Sequence, residues 1–593
     1  MSGESGKTVF HLILIKPSHY DDDGYVIQWA RSVIPSNSLA VLYGLALDCI
    51  ERRVLGDDVE IVVSVYDETN ARIKVEDMVA RIRHAGGHAL VGLVGVQTNQ
   101  YPRAVDIGRQ FRTAGIQVCI GGFHVSGCLA MLPELTPELQ EALDLGISLF
   151  AGEAEGRLEV LLQDACRGEL QPIYNYMDDL PGLQGAAVPH LPAERIARTQ
   201  GRVTSFDAGR GCPYLCSFCT IINVQGRKSR YRSADDVERI VRSNAAQGIR
   251  NFFITDDNFA RNREWEALFD RLIQLREVDG LTIKLMIQVD TMCHKIPGFI
   301  EKARRAGVNR VFIGLENINP ESLSDARKGQ NRITEYRVML QGWQHAGVTT
   351  FAGYILGFPN DTPESVLRDI KIIQRELPID LLEFFILTPL PGSADHKKLY
   401  EQGVAMDADM NRYDTVHVVT DHPRMSREEL KRIYRLAWDA YYTPEHVETL
   451  VRRAKARGVE PRTMKGKVLK FYGAMRVEET HPLEVGIFRR KYRKDRRYGM
   501  PQEKPLAFYT RYAWENLAKL PRAASLAWRY HQLCRRVERD QAAYTDVAIA
   551  PVEDENLEKL DLFRVTTAAQ ATFEKARRKE SVRREAMKHA AAE

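Results

Sequence analysis

The sequence predicts an α/β protein in three parts: a Rossmann-like, doubly wound parallel sheet, then a partial (β/α)6 barrel, then a mostly helical C-terminal region. Two observations carry this. From residue 9 to about 160, and again from about 201 to 400, short β-branched runs alternate with stretches whose apolar residues recur at helical spacing, which is how parallel strands covered by helices read. Beyond about residue 400 the strand pattern fades and helical periodicity dominates. At 593 residues the chain exceeds the size at which one core keeps growing, so several domains are expected. The composition shifts place them at 1–165, 201–400 and 401–550, with a Pro-bearing linker at 166–200 and a charged tail at 551–593.

The composition is that of an ordinary globular protein, 44% hydrophobic and 27% charged. Lys+Arg 83 against Asp+Glu 79 leaves a formal charge of only +4, which argues against a surface built to coat nucleic acid. There is no apolar run of about 18 residues, and MSGESGKTVF leads into a strand without a signal-peptide pattern, so a cytoplasmic protein is expected. Nine cysteines, an odd and sparse set, do not make a disulfide scaffold.

In the first part, strands are expected at 9–15, 59–65, 89–96, 116–120 and 147–151. Ligands of such sheets bind at the carboxyl ends of the strands. Those ends carry Lys16-Pro17-Ser18, then Gln97-Thr98-Asn99-Gln100, then Gly121-Gly122-Phe123-His124-Val125-Ser126, and Gly152-Glu153-Ala154-Glu155-Gly156. Paired glycines such as Gly121-Gly122 let backbone approach a flat ligand, and serve equally to make a turn.

After the linker the chain reads FDAGRGCPYLCSFCTIINVQ. Cys212, Cys216 and Cys219 form C-x3-C-x2-C on a loop between a strand and the helix expected near Ser233. Three thiolates hold three irons of a [4Fe-4S] cluster and leave the fourth iron open to another ligand. Zinc is the alternative, with His294 or Cys293 completing four ligands. Strands expected at 251–257, 283–290, 310–316, 349–358 and 381–390 bring the βα units to six. Their polar ends hold Asp256-Asp257-Asn258, Gln288 and Asp290, Glu316, and Gly357-Phe358-Pro359. Asp257 and Asn258 could instead cap the helix around Trp265–Ile273.

The cysteine spacing, the Gly209-Arg210-Gly211 lead-in and Phe218 between the last two thiolates resemble the radical S-adenosylmethionine (SAM) superfamily. The G-G-x-H-V-S and G-E-x-E-G segments ahead of them resemble the cobalamin-binding domain of B12-dependent radical SAM enzymes. The resemblance implies a [4Fe-4S] cluster, S-adenosyl-L-methionine and cobalamin as cofactors, with Cys212, Cys216 and Cys219 as cluster ligands. It places Asp256, Asp257 and Asn258 at the amino group of SAM, Gln288 and Asp290 near its ribose, Glu316 close by, and Gly357 and Pro359 with Phe218 beside adenine. Thr98, Gln100, Gly121, Gly122, His124, Val125, Gly152 and Glu153 would meet the corrinoid. The Asp-x-His-x-x-Gly motif of many other B12 proteins is missing, which implies either a corrinoid held without that histidine or a domain that has lost the cofactor. The activity implied is reductive SAM cleavage, hydrogen abstraction from a hydrophobic small molecule and radical methylation of an unactivated carbon. Cyclisation, rearrangement or C–C coupling of a lipid, terpenoid or tetrapyrrole is the alternative within the family. A non-catalytic cobalamin or SAM sensor stands outside it. A flavodoxin or ferredoxin is the implied electron donor.

In the C-terminal region, Ser426 and Glu429 make a capping box, and Thr443-Pro444 opens the next helix. His417 and His422 either reach the substrate cavity or anchor loops. The segment GIFRRKYRKDRRYGM (486–500), followed by a stretch with Trp514 and Trp528, is basic and aromatic. Basic helices of this kind are either plain solvated surface or peripheral membrane contacts at the inner face of the membrane. Nucleic acid is the weaker match.

Overall fold

The computed structural model describes residues 7–552 and 557–590. The first six residues of the expected first domain, and 553–556 and 591–593 of the expected charged tail, lie outside the described residues.

The N-terminal part is a six-stranded parallel sheet of β1 (Thr8–Lys16), β3 (Val59–Asp67), β4 (Ala89–Leu93), β5 (Gln117–Gly121), β6 (Ser148–Ala151) and β7 (Ile173–Asn175), in the order β3-β1-β4-β5-β6-β7. Residues Phe10–Ile15 of β1 and all of β4 are buried, because helices cover both faces. The connections reverse direction between β1 and β4, and that switch point opens a crevice at the carboxyl ends of the strands. β7 falls inside the expected 166–200 linker, which is therefore part sheet. Three residues are too short a run to show a period, and an edge strand tolerates the prolines around it.

The second sheet is β8 (Val203–Phe206), β11 (Asn251–Ile254), β12 (Lys284–Val289), β13 (Val308–Glu316), β14 (Thr349–Leu356) and β15 (Leu381–Ile386). The strands pair in parallel and in sequence order, and the two end strands, β8 and β15, are not joined. This is the partial (β/α)6 barrel. Most of its strands end two to four residues before the polar ends suggested by sequence, because those residues leave the ladder to form loops. One hydrophobic core runs from Phe206 in β8 through Leu430, Ile433 and Trp438 of the helix Arg427–Tyr441 to Leu533, so the barrel and the helices after it share their packing.

Within the barrel Glu383 is buried, its Oε2 has no hydrogen-bond partner, with His481 Nε2 4.0 Å away, and burial pushes its carboxyl up to about 8. A folded-state pKa above the ordinary 4.5 means full stability below that value and progressive loss as pH rises to about 8. Thermal melts between pH 5 and 8 should therefore show a flatter pH dependence for Glu383→Gln than for the wild type. Parallel curves would mean that Glu383 is ionised in the fold.

Two features join distant segments. β2 (Gln28–Ser32) pairs antiparallel with β16 (Gly486–Arg490), with Gly486 opposite Ser32. The basic segment 486–500 is thus a strand and loop, not the helix expected. Arg489 and Lys491 meet Asp21 at 2.9 and 3.3 Å, Arg497 meets Asp409 at 2.6 Å, and Asp495 takes Arg72 at 2.8 Å. Much of that basic charge clamps the C-terminal region onto the loop after β1. The helix Pro505–Arg539 follows. Among the described residues no helix is long and apolar enough to cross a membrane.

Candidate active site

The cysteine loop is tied at its base by β9 (Gly209–Arg210) pairing antiparallel with β10 (Arg230–Tyr231). Gly211 has φ +90°, and a Cβ there would stand 2.5 Å from the Lys228 carbonyl oxygen, so glycine is required. The Cys212 amide donates to Gly226 O and that of Cys219 to Cys216 O. Ser217 reaches Asp395 at 3.0 Å and Asn223 reaches Gly392 O at 2.8 Å, fixing the loop against the end of β15. Gln330 Nε2 donates to Cys216 Sγ at 3.3 Å. Burial raises the Cys212 thiol and pushes that of Cys219 up to about 12, so bound metal would be needed to deprotonate them. Among the described residues only His124, Cys128 and Glu138 bring ligand atoms within 4.8 Å of one another. The three loop thiols do not form such a group, so among the described residues they make no preformed single-ion site.

Beside them Phe218 packs with Ala326, Ile355 and Phe358, and Lys328 Nζ lies 5.5 Å from its ring centre. Lys328 pairs with Glu316 at 2.6 Å. Against the pull of burial, Glu316 and the nearby thiols Cys216 and Cys219 hold its ammonium above the ordinary range. Glu316 itself has φ +62° at a break in the β13–β14 register, a strained end to the strand.

A cavity of about 780 Å³ runs without a break from the carboxyl ends of the barrel strands to those of the N-terminal sheet. On the barrel side Asp257, Gln288, Phe253, Met286, Phe312 and Phe385 line it. The Asp257 carboxyl meets only its own backbone amide. Burial, then the neighbouring Asp256, pushes it up to about 7. Gln288 reaches the Asp256 carbonyl oxygen at 3.2 Å.

Neighbours expected to share this role are committed elsewhere. Asp256 accepts the amides of Ala208 and Gly209 at 2.7 and 2.8 Å and Asn262 at 2.9 Å, so it anchors the lead-in to the cysteine loop. Asn258 donates to Asp290, which is also gripped by both Arg261 nitrogens at 2.6 and 2.9 Å. Neither Asp257 nor Asn258 caps the helix Trp265–Glu277, whose N-cap is Glu264. Asp290, Glu316, Gly357 and Pro359 do not line the cavity. Gly357 donates its amide to Asp361, and Pro359 is exposed.

On the N-terminal side Thr98, Gln100, Gly121, Gly122, Gly152 and Glu153 line the cavity. A Cβ on Gly122 would lie 2.1 Å from the Val96 nitrogen, so this turn admits no side chain and leaves bare backbone facing the space. From there an apolar sleeve of Leu12, Leu14, Leu90, Cys119, Phe150 and Leu161 passes between the sheet and the helices Asn37–Glu51 and Leu158–Arg167. A glycine-edged mouth for a flat ring and a sleeve for an appended group are the shape a corrinoid requires. His124 and Val125 are fully buried away from it. His124 lies against Tyr101, 4.3 Å between ring centres, with Glu138 at 3.6 Å, because the helix Phe123–Met131 turns its first residues into the domain interior.

Glu153 lines the cavity, yet its carboxylate is already taken. Arg210 contacts Glu153 and Glu155 at 2.6 Å each and Asp207 at 3.1 Å. Arg230 also grips Glu153, and Arg232 meets Asp207 at 3.3 Å. Against burial, Arg210 and Arg232 keep Asp207 below the usual carboxylate range. The G-E-x-E-G segment is thus an interdomain latch onto Gly209-Arg210-Gly211.

The C-terminal region contributes His481 and Glu484, which line the cavity with His19 and Tyr413. Glu484 takes Asn99 at 3.2 Å and His19 at 3.5 Å. Burial lowers His481 to about 4, leaving it neutral. His19, His481, Glu484, Lys328 and Gln330 carry no motif, and only their tertiary position marks them. Arg210, between two glycines of the lead-in, was the one legible signal. His417 bonds Asp414 at 2.8 Å and His422 bonds Phe358 O at 2.8 Å, so both anchor loops.

Residues 208–373 match the model of the Radical SAM superfamily. The chain is 26% identical over 364 residues to bacteriochlorophyllide d C-8(2)-methyltransferase of Chlorobaculum tepidum, covering 58% of this chain and 75% of that protein. It is 26% identical over 415 residues to hopanoid C-2 methylase of Rhodopseudomonas palustris, covering 67% and 76%. Among solved structures, the cobalamin-dependent S-adenosylmethionine radical enzyme OxsB with aqua-cobalamin and S-adenosylmethionine bound superposes with a TM-score of 0.51 at 14% identity, covering 95% of this chain and 84% of that one. At that identity the likeness is one of fold. Residues 208–373 thus match the Radical SAM superfamily, and the chain around them is similar in sequence to these two methylases and in fold to OxsB.

Proposed function

We propose that this protein is a radical SAM enzyme that methylates an unactivated carbon of an apolar small molecule with the help of cobalamin. The observation that carries this is the single cavity that runs from Thr220 and Ile221, directly after Cys219, to the glycine-edged sleeve; the three cysteines lie just behind its lining. Two cofactor sites that share one continuous space can act on one substrate. When bound, the [4Fe-4S] cluster and SAM supply a hydrogen-abstracting radical, and cobalamin supplies the transferable methyl group.

The chain's own residues hold and orient these groups. Cys212, Cys216 and Cys219 would hold the cluster, three thiolates for three of its irons. Asp257, in no ion pair and facing the cavity, takes the amino group of SAM, and Gln288 takes a ribose hydroxyl. Bare backbone at Gly121-Gly122, with Thr98 and Gln100, would border the corrinoid. Phe253, Met286, Phe312 and Phe385 make the apolar wall for substrate and keep water from the radical. A flavodoxin- or ferredoxin-type carrier delivers the electron.

Anaerobic reconstitution with iron, sulfide, SAM and dithionite tests the reading. 5′-Deoxyadenosine should form, and a corrinoid should co-elute with the protein on gel filtration. Corrinoid failing to bind would remove methylation and leave radical chemistry standing. Asp257→Asn should raise the KM for SAM by about tenfold, the loss of one charge-assisted contact, while corrinoid still co-elutes. An unchanged KM would place the amino group elsewhere. Gln330→Leu removes the hydrogen bond to Cys216 Sγ and should lower the reduction potential of the cluster, read by electron paramagnetic resonance titration. An unshifted potential would mean that the amide does not reach the thiolate.

A further inference from the structure

The helix Pro505–Arg539 is apolar on two opposite sides. One side carries Phe508, Leu526, Tyr530, Leu533 and Val537 into the core. The other, at spacings of three and eight residues that keep to one helical face, presents Leu506, Trp514, Leu517, Leu520 and Trp528 to solvent, all more than half exposed. The stripe from Leu506 to Trp528 is roughly 33 Å long at 1.5 Å per residue. Tyr512, on the same helix, bonds the Arg489 carbonyl oxygen at 2.8 Å, which brings β16 alongside. There Phe488 is 79% exposed with φ +56°, a strained backbone that displays its ring to solvent.

The charge around this stripe is one-sided. The helix holds seven Lys/Arg against Glu515 and Glu538, and both acids are already paired, with Lys491 at 3.1 Å and Arg462 at 2.9 Å. Among the described residues Lys504, Arg529, Arg535, Arg490 and Lys494 have no carboxylate within ion-pair distance. They are exposed.

We propose that this face is a docking surface for an anionic lipid bilayer, with the helix lying flat in the headgroup region. Exposed Trp, Leu and Tyr with cations beside them match that environment, rings at the interface and charges at the headgroups. A second copy of the chain is a poor occupant, since stripe against stripe would bring like cationic margins together. The surface adjoins the cavity: Leu483, Glu484 and Val485 line it, and β16 begins at the next residue. An apolar substrate could thus enter from the bilayer, a step that rests on the proposed function, whereas docking itself does not.

Flotation of the full-length protein with phosphatidylcholine vesicles, with and without about 30 mol% phosphatidylglycerol, tests it. The protein should float with the anionic vesicles and be released by high salt. Brominated lipid should quench its tryptophan fluorescence, a readout that needs no variant. Leu517→Glu with Trp528→Glu should weaken partitioning by about tenfold or more, while 5′-deoxyadenosine formation in detergent-free solution stays at the wild-type rate. No flotation, equal binding to neutral vesicles, or a dimer that light scattering shows dissolved by the double variant would each overturn the proposal. Flotation without 5′-deoxyadenosine would leave docking intact and defeat the catalytic reading.

Discussion

Cys216→Ala is expected to abolish 5′-deoxyadenosine formation, by about a hundredfold or more, and to leave the fold intact. Cys216 is buried in the loop that Ser217, Asn223 and the β9–β10 pair hold in place, and none of those contacts uses its sulfur. Two thiolates from this loop cannot hold three irons, and no other cysteine lies near in sequence to replace the third. Iron and sulfide content after anaerobic reconstitution, with the visible absorption of the cluster, reads the loss directly. Gel filtration and thermal melting should match the unreconstituted wild type. Iron retained at the wild-type level with undiminished SAM cleavage would place the cluster elsewhere.

Arg210→Ala should be the most destabilising single change away from the hydrophobic core. Arg210 is 9% exposed and lies among Glu153, Glu155 and Asp207. Its loss leaves Glu155 without its charged partner and Asp207 and Glu153 with one less. Removing one member of a buried ionic set typically costs about 3–5 kcal/mol, mostly the penalty of stranding the opposite charges. An unfolding free energy lower by that amount, read from urea denaturation, is expected. Faster hydrogen exchange should be confined at first to 150–158 and 207–212, where the two domains meet. Since Glu153 and Gly152 also border the cavity, corrinoid retention should fall with it. Arg210→Lys, which keeps the charge and loses the fork, should recover part of the stability. A stability change below about 1 kcal/mol, the range of exposed pairs, would mean that water replaces the guanidinium and that the latch carries little.

Much of the fold and the centre of the site were legible in the sequence, for local reasons. Parallel strands buried on both faces announce themselves as apolar runs, and β1, β3, β4 and β5 were each found within two or three residues. A cluster loop needs its thiols close together in the chain, so Cys212, Cys216 and Cys219 could be found by spacing. Caps are local too, and Ser426 and Thr443 open their helices as expected. Polar residues at strand ends were harder. Asp256 and Asp257 are adjacent, yet the chain geometry at the end of β11 sends one into the Ala208 and Gly209 amides and the other into the cavity. No periodicity separates them. His124 and Glu153 looked like ligand residues because they sit in glycine-rich turns; one turned into the core and the other became a partner of Arg210.

By itself, then, the sequence determined the alternation of strands and helices, the two sheets it builds and the three thiols on their loop, since each depends on residues within a few positions of one another. The tertiary structure alone decided which polar side chains face the common cavity, the pairing of β2 with β16 across more than four hundred residues, and the arrival of His481 and Glu484 from the C-terminal region. It also decided that the basic segment 486–500 is partly neutralised while the helix after it keeps an uncovered apolar face. Those outcomes depend on burial and charge balance between segments far apart in the chain, and neither quantity exists until the chain has folded.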